Sequence, residues 1–497
     1  MSEATSVSTP QPAPGPSATQ RATRYAGYVF WLMFIVNFLN YLDRWVFNGL
    51  SDVIQQDLRI DNFQIGLLAT GFLLIYALVA MPLGFSADRI ARKGVVAAGV
   101  AVWSVATVLT GIVRGFGPLF ATRAFLGIGE GSYYPAGTPM LAAFFPPARR
   151  AQMLARWSTG ALIGAAIGFL LASFFTVHTW RYAFFFTGIP GLIFAFLVWR
   201  VREKKHHEED PQASGNQGDT ASISQRFRTY LRIPTVRVII GMQALGFFGI
   251  YGVTTFLTIY LADTYGSKII KRNQYNEIIG TQPGPFPHYG LDHHLIPILA
   301  GGVIIVGGIA GNLFGGYLAN RLSRRRPGAR VLAGGIGFLL AAPSVLIAVG
   351  APFVLPLIPA YRAAAESTQV IVGVTIFTIF GLLTAFAMNI YNGPVSAATL
   401  DVVPAAERGA AGGTVLSLSH LLGDVYAGLV VGGLADYLAQ RLGGDQFGLG
   451  AAILVSVPLF LVASGIVGIW GSRFYKRDIE AVGGTTEGVL GTKAGVA

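Results

Sequence analysis

The sequence has no cysteine, and only 12% of its 497 residues are charged. The absence of cysteine excludes a disulfide framework, a thiol nucleophile and a cysteine-based metal site. Together with 53% hydrophobic residues and a mean hydropathy of +0.56, the low charge excludes an ordinary soluble enzyme. The HExxH, GxSxG and phosphate-cradling glycine motifs are also missing. We therefore expect no catalytic residue, no metal and no cofactor.

What the sequence has instead is a series of apolar segments of about 20 residues, the length that crosses a bilayer. We predict an all-α polytopic membrane protein with twelve transmembrane helices. The spans lie at about 26–50, 64–86, 94–114, 117–143, 151–176, 180–201, 236–264, 296–322, 331–350, 370–400, 409–440 and 449–475.

The predicted spans divide into two six-helix bundles, residues 25–201 and 236–478. The segment between them, residues 202–235, is hydrophilic and contains a Gly/Ser/Asn/Gln stretch that cannot bury a core, so it is predicted to be a linker. Residues 1–24 and 479–497 are predicted to be tails, and no cleaved signal peptide is expected.

The net charge of +12 comes from 36 Lys and Arg residues, most of which fall on one set of loops and termini. This asymmetry is typical of the positive-inside rule and predicts that both termini and the linker are cytoplasmic.

Because the basic residues are not interleaved with stacking aromatics, no nucleic-acid partner is expected. We expect a monomer surrounded by lipids in a bacterial inner membrane.

Two stretches of the chain read almost alike: residues 84–93 (GFSADRIARK) and residues 316–325 (GYLANRLSRR). Each follows an apolar run, and a duplicated helix–basic loop–helix element is typical of a solute transporter built from two halves. An acidic side chain at a helix end can meet the other half and hold the cytoplasmic side shut until the halves rock. The predicted cytoplasmic gate comprises Gly84, Asp88, Arg89, Arg92, Lys93, Gly316, Asn320 and Arg321.

A polar stripe runs along the first span. At about 100° per residue, its members share one narrow face that should point at water or substrate. Asp43 falls about 120° away from this face and should point at a neighbouring helix. The stripe comprises Asn37, Asn40, Tyr41, Arg44 and Asn48.

The fourth span carries a second set of polar side chains, with Arg123, Glu130 and Tyr134 on one face. Arg123 and Glu130 are two turns apart, about 10 Å along the axis, so each should meet a partner from another helix, with Arg44 and Asp43 as candidates. A charge in hydrocarbon costs several kcal/mol or more. Two explanations remain open: proton coupling through the carboxylates, which we favour, or a static ion-pair network that pins the helices.

In the second half, His420 and Asp424 lie at i and i+4 of the eleventh span. His420 could relay protons, bind a polar headgroup or simply pack. Asn389 and Asn392 of the tenth span are cavity candidates or interhelical contacts. The predicted proton-coupling residues are Asp43, Arg44, Arg123 and Glu130. The predicted substrate-binding residues are Asn37, Tyr41, Arg44, Asn48, Glu130, Tyr134, Asn389, Asn392 and His420.

These motifs resemble the major facilitator superfamily, in the loop at residues 84–93 and in the RxxxGxG run at residues 123–129. A narrower resemblance is to the spinster family, which includes lysophospholipid and sphingosine-1-phosphate exporters. It is carried by residues 39–44 (LNYLDR), 127–133 (GIGEGSY) and 419–424 (SHLLGD). The resemblance implies that the first-span Asp-Arg pair and the fourth-span Glu couple protons and bind the substrate headgroup, with Arg123 and His420 in support.

The expected function is proton-coupled secondary active transport by alternating access, with an amphipathic or anionic lipid-like substrate. A phosphate or carboxylate headgroup suits buried arginines. The first- and fourth-span motifs also resemble the anion:cation symporters of the same superfamily, and residues 134–136 (YPA) favour that alternative. A membrane sensor that binds without transporting is the alternative of a different class, and the duplicated loop argues against it.

Overall fold

The computed structural model describes residues 18–89, 92–202, 223–272, 278–283, 286, 288, 290–323, 326, 328–404, 408–442 and 445–482. The helices of the first half are α1 (Ala18–Gly49), α2 (Ser51–Leu58), α3 (Asn62–Arg89), α4 (Arg92–Thr110), α5 (Phe116–Ala142), α6 (Pro147–Ala172) and α7 (Trp180–Trp199). The second half contains α8 (Ile223–Arg232), α9 (Pro234–Thr254), α10 (Leu257–Tyr265), α11 (Leu295–Ser323), α12 (Ala329–Val354), α13 (Pro359–Arg362), α14 (Glu366–Asn389), α15 (Asn392–Asp401), α16 (Arg408–Leu422), α17 (Asp424–Leu442), α18 (Asp445–Gly471) and α19 (Tyr475–Ala481).

Within these described ranges, eleven helical stretches are long and apolar enough to cross a membrane. The helix α5, of 27 residues, completes the set of twelve although it is not among those eleven. Its glycines and its buried Arg123 and Glu130 lower its hydropathy. The predicted class, a twelve-helix membrane protein with two six-helix bundles, is confirmed.

The two halves repeat the same helix packing. In the first half α3 packs on α5, α4 on α5 and α7, and α1 on α6. In the second half α11 packs on α14, α12 on α14 and α18, and α9 on α16 and α17. These are the same four pairs at equivalent positions in the order of spans, as a duplicated architecture requires.

Because the number of spans is even, both ends of the described chain lie on one side of the bundle, here called the terminal face. The opposite side, where α1 ends and α3 begins, is called the distal face. The halves meet toward the distal face, where α3 packs along α17 and α6 packs on α11. The barrier between the halves therefore lies on the distal side of the space enclosed between them.

Close helix packing in the first half depends on glycines of α6. A Cβ at Gly164 would lie 2.4 Å from the carbonyl oxygen of Phe38 on α1, and a Cβ at Gly160 would lie 3.0 Å from that of Phe34. With Gly168 they recur every fourth residue, which places them on one face of the helix. Small residues at this spacing let two helix backbones approach closely.

Three details differ from the sequence-based expectation. The predicted linker ends in a helix, α8, whose Tyr230 is buried, because its apolar residues fall on one face. The loop after α10 contains an antiparallel hairpin of β1 (Lys268–Arg272) and β2 (Ile278–Pro283). Spans seven, ten and eleven are each interrupted, giving α9–α10, α14–α15 and α16–α17.

The interruption of the tenth span lies next to Pro394, which lacks the N–H that would bond to the carbonyl of Ile390. The proline alone does not cause the break, since α5, α7, α12 and α18 each continue through one or two interior prolines. The interruption of the eleventh span falls at Gly423, where an added Cβ would lie 2.2 Å from the carbonyl oxygen of Ala244 on α9. Both breaks lie inside the bundle rather than at its faces.

Candidate functional site

A cavity of about 410 Å³ lies between the two halves. Most of its wall is apolar, with Leu68, Leu126 and Phe377 among the residues that form it. Polar side chains reach it from both halves. They include Tyr41, Arg44, Asn48 and Arg123 from the first half and Tyr251, Asn312, Thr384, Asn389 and Asn392 from the second. A mostly apolar pocket with a few convergent polar groups is the usual form of a small-molecule site.

The polar stripe of α1 divides into two parts. Tyr41, Arg44 and Asn48 line the cavity, as expected for a face that points at substrate. Asn37 does not reach the cavity. It is 2% exposed and its Nδ2 donates to the carbonyl oxygen of Trp157 on α6 at 3.1 Å. The glycines of α6 bring that helix so close to α1 that the terminal end of the stripe is covered.

Arg44 on α1 forms an ion pair with Glu130 on α5. The Glu130 carboxylate is fully buried, whereas the Arg44 side chain is 21% exposed and lines the cavity. The guanidinium also lies 5.0 Å from the ring centre of Phe72 and 5.6 Å from that of Tyr76. Arg44 therefore forms part of the described wall, whereas its partner Glu130 does not.

Asp43 points away from the cavity, as its angle on the helix predicts. It is buried, and one carboxylate oxygen accepts a hydrogen bond from the hydroxyl of Thr107 on α4. The other oxygen, Oδ1, is buried and has no hydrogen-bond partner among the described residues. An unsatisfied buried carboxylate oxygen is costly, so the charged form of Asp43 is poorly stabilised at this position.

Arg123 was expected to meet a carboxylate, and the described residues provide none within ion-pair distance. Instead its guanidinium carbon lies 3.5 Å from the ring centre of Phe47 and 5.9 Å from that of Phe184. The residue is 5% exposed and lines the cavity. The cavity therefore has one arginine in direct contact with a carboxylate and another, Arg123, that stacks on aromatic rings and feels Asp43 and Glu130 only at longer range.

His420 and Asp424 are brought together in the second half. His420 Nδ1 lies 2.5 Å from Asp424 Oδ2, and the imidazole stacks on Phe247 at 4.6 Å between ring centres. Neither residue belongs to the cavity wall. His420 approaches it through Tyr251, whose ring lies 6.4 Å away and does line the cavity.

Asn389 and Asn392 both line the cavity and are joined by a hydrogen bond of 3.0 Å from Asn392 Nδ2 to Asn389 Oδ1. Tyr134 is 46% exposed and packs against Trp157, with 5.6 Å between ring centres, away from the cavity wall. Tyr134 lies on the same side of α5 as Arg123 and Glu130, as predicted. It is nearer the terminal face of the bundle than they are, and so lies beyond the cavity.

Sequence reasoning missed Asn312, Tyr251 and Thr107. Asn312 is an amide inside an apolar span, and that signal could have identified it. Tyr251 and Thr107 carried no such signal, because single tyrosines and threonines are common in transmembrane helices.

The predicted cytoplasmic gate is only partly described. The side chains of Asp88, Arg89 and Asn320 lie outside the described part of the structure, as does the surrounding of Gly84. Arg92 begins α4, and Gly316 has open space where a Cβ would stand. Lys93 Nζ donates to the carbonyl oxygen of Val201 at 2.9 Å, and Arg321 donates to Tyr317 at 3.2 Å. These last two contacts stay within one half.

A sequence profile described as the Major Facilitator Superfamily matches residues 33–423, most of the chain. The chain belongs to the major facilitator superfamily. Members of this superfamily are transporters, so the expectation of a transporter rather than an enzyme is confirmed. The predicted resemblance to spinster proteins is also confirmed by the relatives described next.

Protein spinster of Drosophila melanogaster is 26% identical over 442 residues, which cover 87% of this chain and 66% of the fly protein. An MFS-type efflux pump of Mycolicibacterium smegmatis is 28% identical over 93% of this chain and 96% of its own length. A bacterial homolog of the human lysosomal transporter Spinster, in an inward-facing and unoccupied conformation, superposes with a TM-score of 0.70 at 20% identity. That match covers 95% of this chain and 99% of the other.

Proposed function

We propose that this protein is a proton-coupled secondary active transporter of an amphipathic or anionic lipid-like molecule, such as a lysophospholipid or a sphingoid phosphate. It acts as a monomer in a bacterial inner membrane, with both termini and the terminal face in the cytoplasm. Two rigid halves rock about the central cavity and expose it alternately to the two sides. The observation that carries the proposal is the Arg44–Glu130 pair, in which only the arginine is accessible from the cavity.

The coupling follows from the position of this pair. An anionic substrate that binds Arg44 competes with Glu130 for the guanidinium. A carboxylate that is fully buried and has lost its cation cannot remain charged at low cost, so Glu130 takes up a proton as the substrate binds. The anion and the proton therefore bind together, and the net charge in the cavity changes little.

Asp43 is the second proton carrier in the proposal. Its hydrogen bond from Thr107 holds the carboxylate at the contact between α1 and α4. These helices belong to the same half, so a charge on Asp43 affects how α1 sits against α4 and thereby where Arg44 points. Arg123 supplies a further cation for the substrate, because it lines the cavity and makes no direct ion pair with the described residues.

The apolar wall of the cavity supports a substrate with a hydrocarbon part. Leu68, Phe72 and Leu126 of the first half face Val349 and Phe377 of the second across the space. An acyl chain would be accommodated there while the headgroup meets the arginines. The motifs at residues 39–44, 127–133 and 419–424 resemble a family that includes lysophospholipid and sphingosine-1-phosphate exporters, and this resemblance supports the same substrate class.

The proposal is tested by flux in proteoliposomes under an imposed pH gradient. Uphill movement of a lysophospholipid that collapses with a protonophore is the expected result. Uptake of a small organic anion that lysophospholipids do not inhibit would favour the anion:cation symporter alternative. Substrate binding without flux at any pH gradient would favour a sensor.

The topology is tested separately. Because the chain has no cysteine, single cysteines can be introduced at Arg149 on the terminal face and at His178 on the distal face, both exposed. In intact cells an impermeant maleimide should label the His178→Cys variant and spare the Arg149→Cys variant. The reverse pattern would overturn the orientation.

A further inference from the structure

The distal face carries a helix cap that crosses between the two halves. Asp436 on α17 accepts hydrogen bonds from the backbone N–H of Phe63 at 2.8 Å and from the backbone N–H of Asn62 at 3.4 Å, and Asn62 Nδ2 donates to it at 3.1 Å. Asn62 is the first residue of α3. Asp61 caps α3 locally by accepting a hydrogen bond from the N–H of Gln64 at 2.7 Å. A second carboxylate, supplied by the eleventh span in the second half, accepts from the N–H groups of Asn62 and Phe63.

This contact has the chemistry of a strong cap. The first N–H groups of a helix have no partner inside the helix, and the aligned peptide dipoles make that end positive. A carboxylate that accepts hydrogen bonds from these groups makes charge-assisted bonds, which are stronger than bonds between neutral groups. Separation of the halves at this point leaves both the helix end and the carboxylate without these bonds.

The cap is joined to a second contact between the halves through α2. Gln55 Nε2 donates to Asn62 Oδ1 at 2.9 Å. One turn earlier on the same face, Ser51 Oγ lies 2.8 Å from the hydroxyl of Thr258 on α10, in the other half. Thr258 also donates to the carbonyl oxygen of Asn48 at 3.0 Å. Thus α2 connects two contacts that both span the halves.

One turn further along α3 from Asn62, the backbones of the halves touch directly. A Cβ at Gly66 on α3 would lie 2.0 Å from the carbonyl oxygen of Gly428 on α17, and a Cβ at Gly428 would lie 2.6 Å from that of Gly66. The two glycines allow α3 and α17 to come close enough for Asp436 to reach the end of α3. The same segment of α3 therefore contacts the second half through both its backbone and its cap.

We propose that Asp436 is a positioning residue that latches the distal face shut by capping α3, and that this cap breaks each time the cavity opens to the distal side. The inference rests on the rocking motion of the proposed function. It adds to that motion the residue that sets the ratio of distal-closed to distal-open molecules. Asp436 touches neither the cavity nor the Arg44–Glu130 pair, so it acts on transport only through the position of α3.

The test measures distances across each face with pairs of spin labels on introduced cysteines, which the cysteine-free chain allows without background. His178→Cys with Gln440→Cys reports the distal face, and Arg149→Cys with Arg408→Cys reports the terminal face; all four positions are exposed. In the Asp436→Ala variant we expect the ratio of distal-open to distal-closed molecules to rise about tenfold, a change of about 1.4 kcal/mol. The terminal-face distances should shorten in parallel.

The matched control is Asp57→Ala. Asp57 of α2 also lies on the distal face of the bundle. It accepts hydrogen bonds from Arg181 Nη1 at 2.7 Å and Trp180 Nε1 at 3.1 Å, but both partners belong to its own half. Asp57→Ala should leave the distance distributions at the wild-type ratio even if it lowers the melting temperature. An equal shift in both variants would overturn the latch, since general loosening would then explain it.

A second variant guards against poor folding. Asp436→Asn keeps the shape and one acceptor but removes the charge, so it should move the distributions in the same direction by a smaller factor. Distributions in Asp436→Ala and Asp436→Asn that match the wild type would overturn the latch alone. A wild-type protein that stays in one state from pH 5 to pH 8, with and without a lysophospholipid, would overturn both the latch and the rocking motion.

Discussion

Arg44 and Glu130 lie on different helices of the same half, and they meet with the carboxylate fully buried and the guanidinium at the cavity wall. In the proposed mechanism, this asymmetry lets the pair act as a switch rather than as a fixed link between two helices. A ligand in the cavity can reach the cation without reaching the anion. Any event that removes Arg44 leaves Glu130 as a buried charge without its partner, and protonation is the least costly response.

The first prediction concerns Glu130→Gln. The amide keeps the size of the side chain and can still accept a hydrogen bond from Arg44, but it cannot exchange a proton. We expect proton-driven flux in proteoliposomes to be abolished while the protein remains folded by size-exclusion chromatography. Glu480→Gln, a carboxylate paired with Lys476 on the surface of α19, serves as the control and should transport normally. Wild-type flux in Glu130→Gln would reduce Glu130 to a structural partner of Arg44.

The second prediction compares two cations of the first half. Arg44→Ala should weaken binding of an anionic substrate by about 10- to 100-fold, as expected for loss of a hydrogen bond to a charged group. Lys93→Ala should change binding little, because Lys93 donates to the carbonyl of Val201 and does not line the cavity. The measurement is a dissociation constant from thermal-shift or calorimetric titration with a lysophospholipid. Equal losses in the two variants would remove Arg44 from the binding site.

The sequence was enough to predict the twelve spans and the direction of single side chains on α1. Because an α-helix has 3.6 residues per turn, the neighbouring residues Asp43 and Arg44 point in different directions. In the structure Asp43 contacts the neighbouring helix α4 and Arg44 lines the cavity, as predicted. Arg44 was a predicted candidate partner for Glu130, and the structure brings these two side chains together. The other candidate pairing, of Arg123 with Asp43, makes no direct ion pair, because which side chains come within bonding distance depends on how the helices pack. The stacking of Arg123 on Phe47 was missed for the same reason.

Contacts between distant parts of the chain could not be predicted from the sequence either. In the sequence Asp436 is an acidic residue near the end of a span, and its neighbours give no sign that it caps α3, some 370 residues earlier. The break between α9 and α10 follows Thr254 without a proline or glycine at the junction. Pro394 could not be distinguished from the prolines that α5, α7, α12 and α18 contain without a break. Both breaks become apparent only from the structure.

The third prediction tests the packing of α6 on α1. Gly164→Ala places a Cβ 2.4 Å from the carbonyl oxygen of Phe38, so the two helices must separate, and the melting temperature should fall. Gly302→Ala in α11 is the control, because nothing lies within 4 Å of its Cβ. Replacing glycine by alanine inside a helix is otherwise favourable by about 1 kcal/mol, so the control should be neutral or stabilised. A lower melting temperature in both variants would contradict the close packing assigned to Gly164.

The last prediction concerns Asp52, in the short helix α2 beyond the first span. Its side chain is buried, its Oδ1 has no hydrogen-bond partner among the described residues, and burial raises its pKa from 3.8 to about 7. Between these two values the folded protein holds a proton that the unfolded chain has released. The contribution of Asp52 to stability is therefore greatest below pH 3.8 and is lost as the pH rises toward 7, by at most about 4 kcal/mol.

Asp52→Asn removes this dependence, since the amide is neutral at every pH. Relative to the wild type, the variant should gain the most melting temperature at pH 8. At pH 5 it should gain about a third as much, because the loss in the wild type begins at pH 3.8, where the unfolded carboxyl ionises. Thermal unfolding in detergent at the two pH values measures the difference, with the surface variant Glu480→Gln as the reference. A gain at pH 5 as large as that at pH 8 would show that the buried Asp52 does not titrate in this range. The effect would then belong to hydrogen bonding by the amide rather than to the charge.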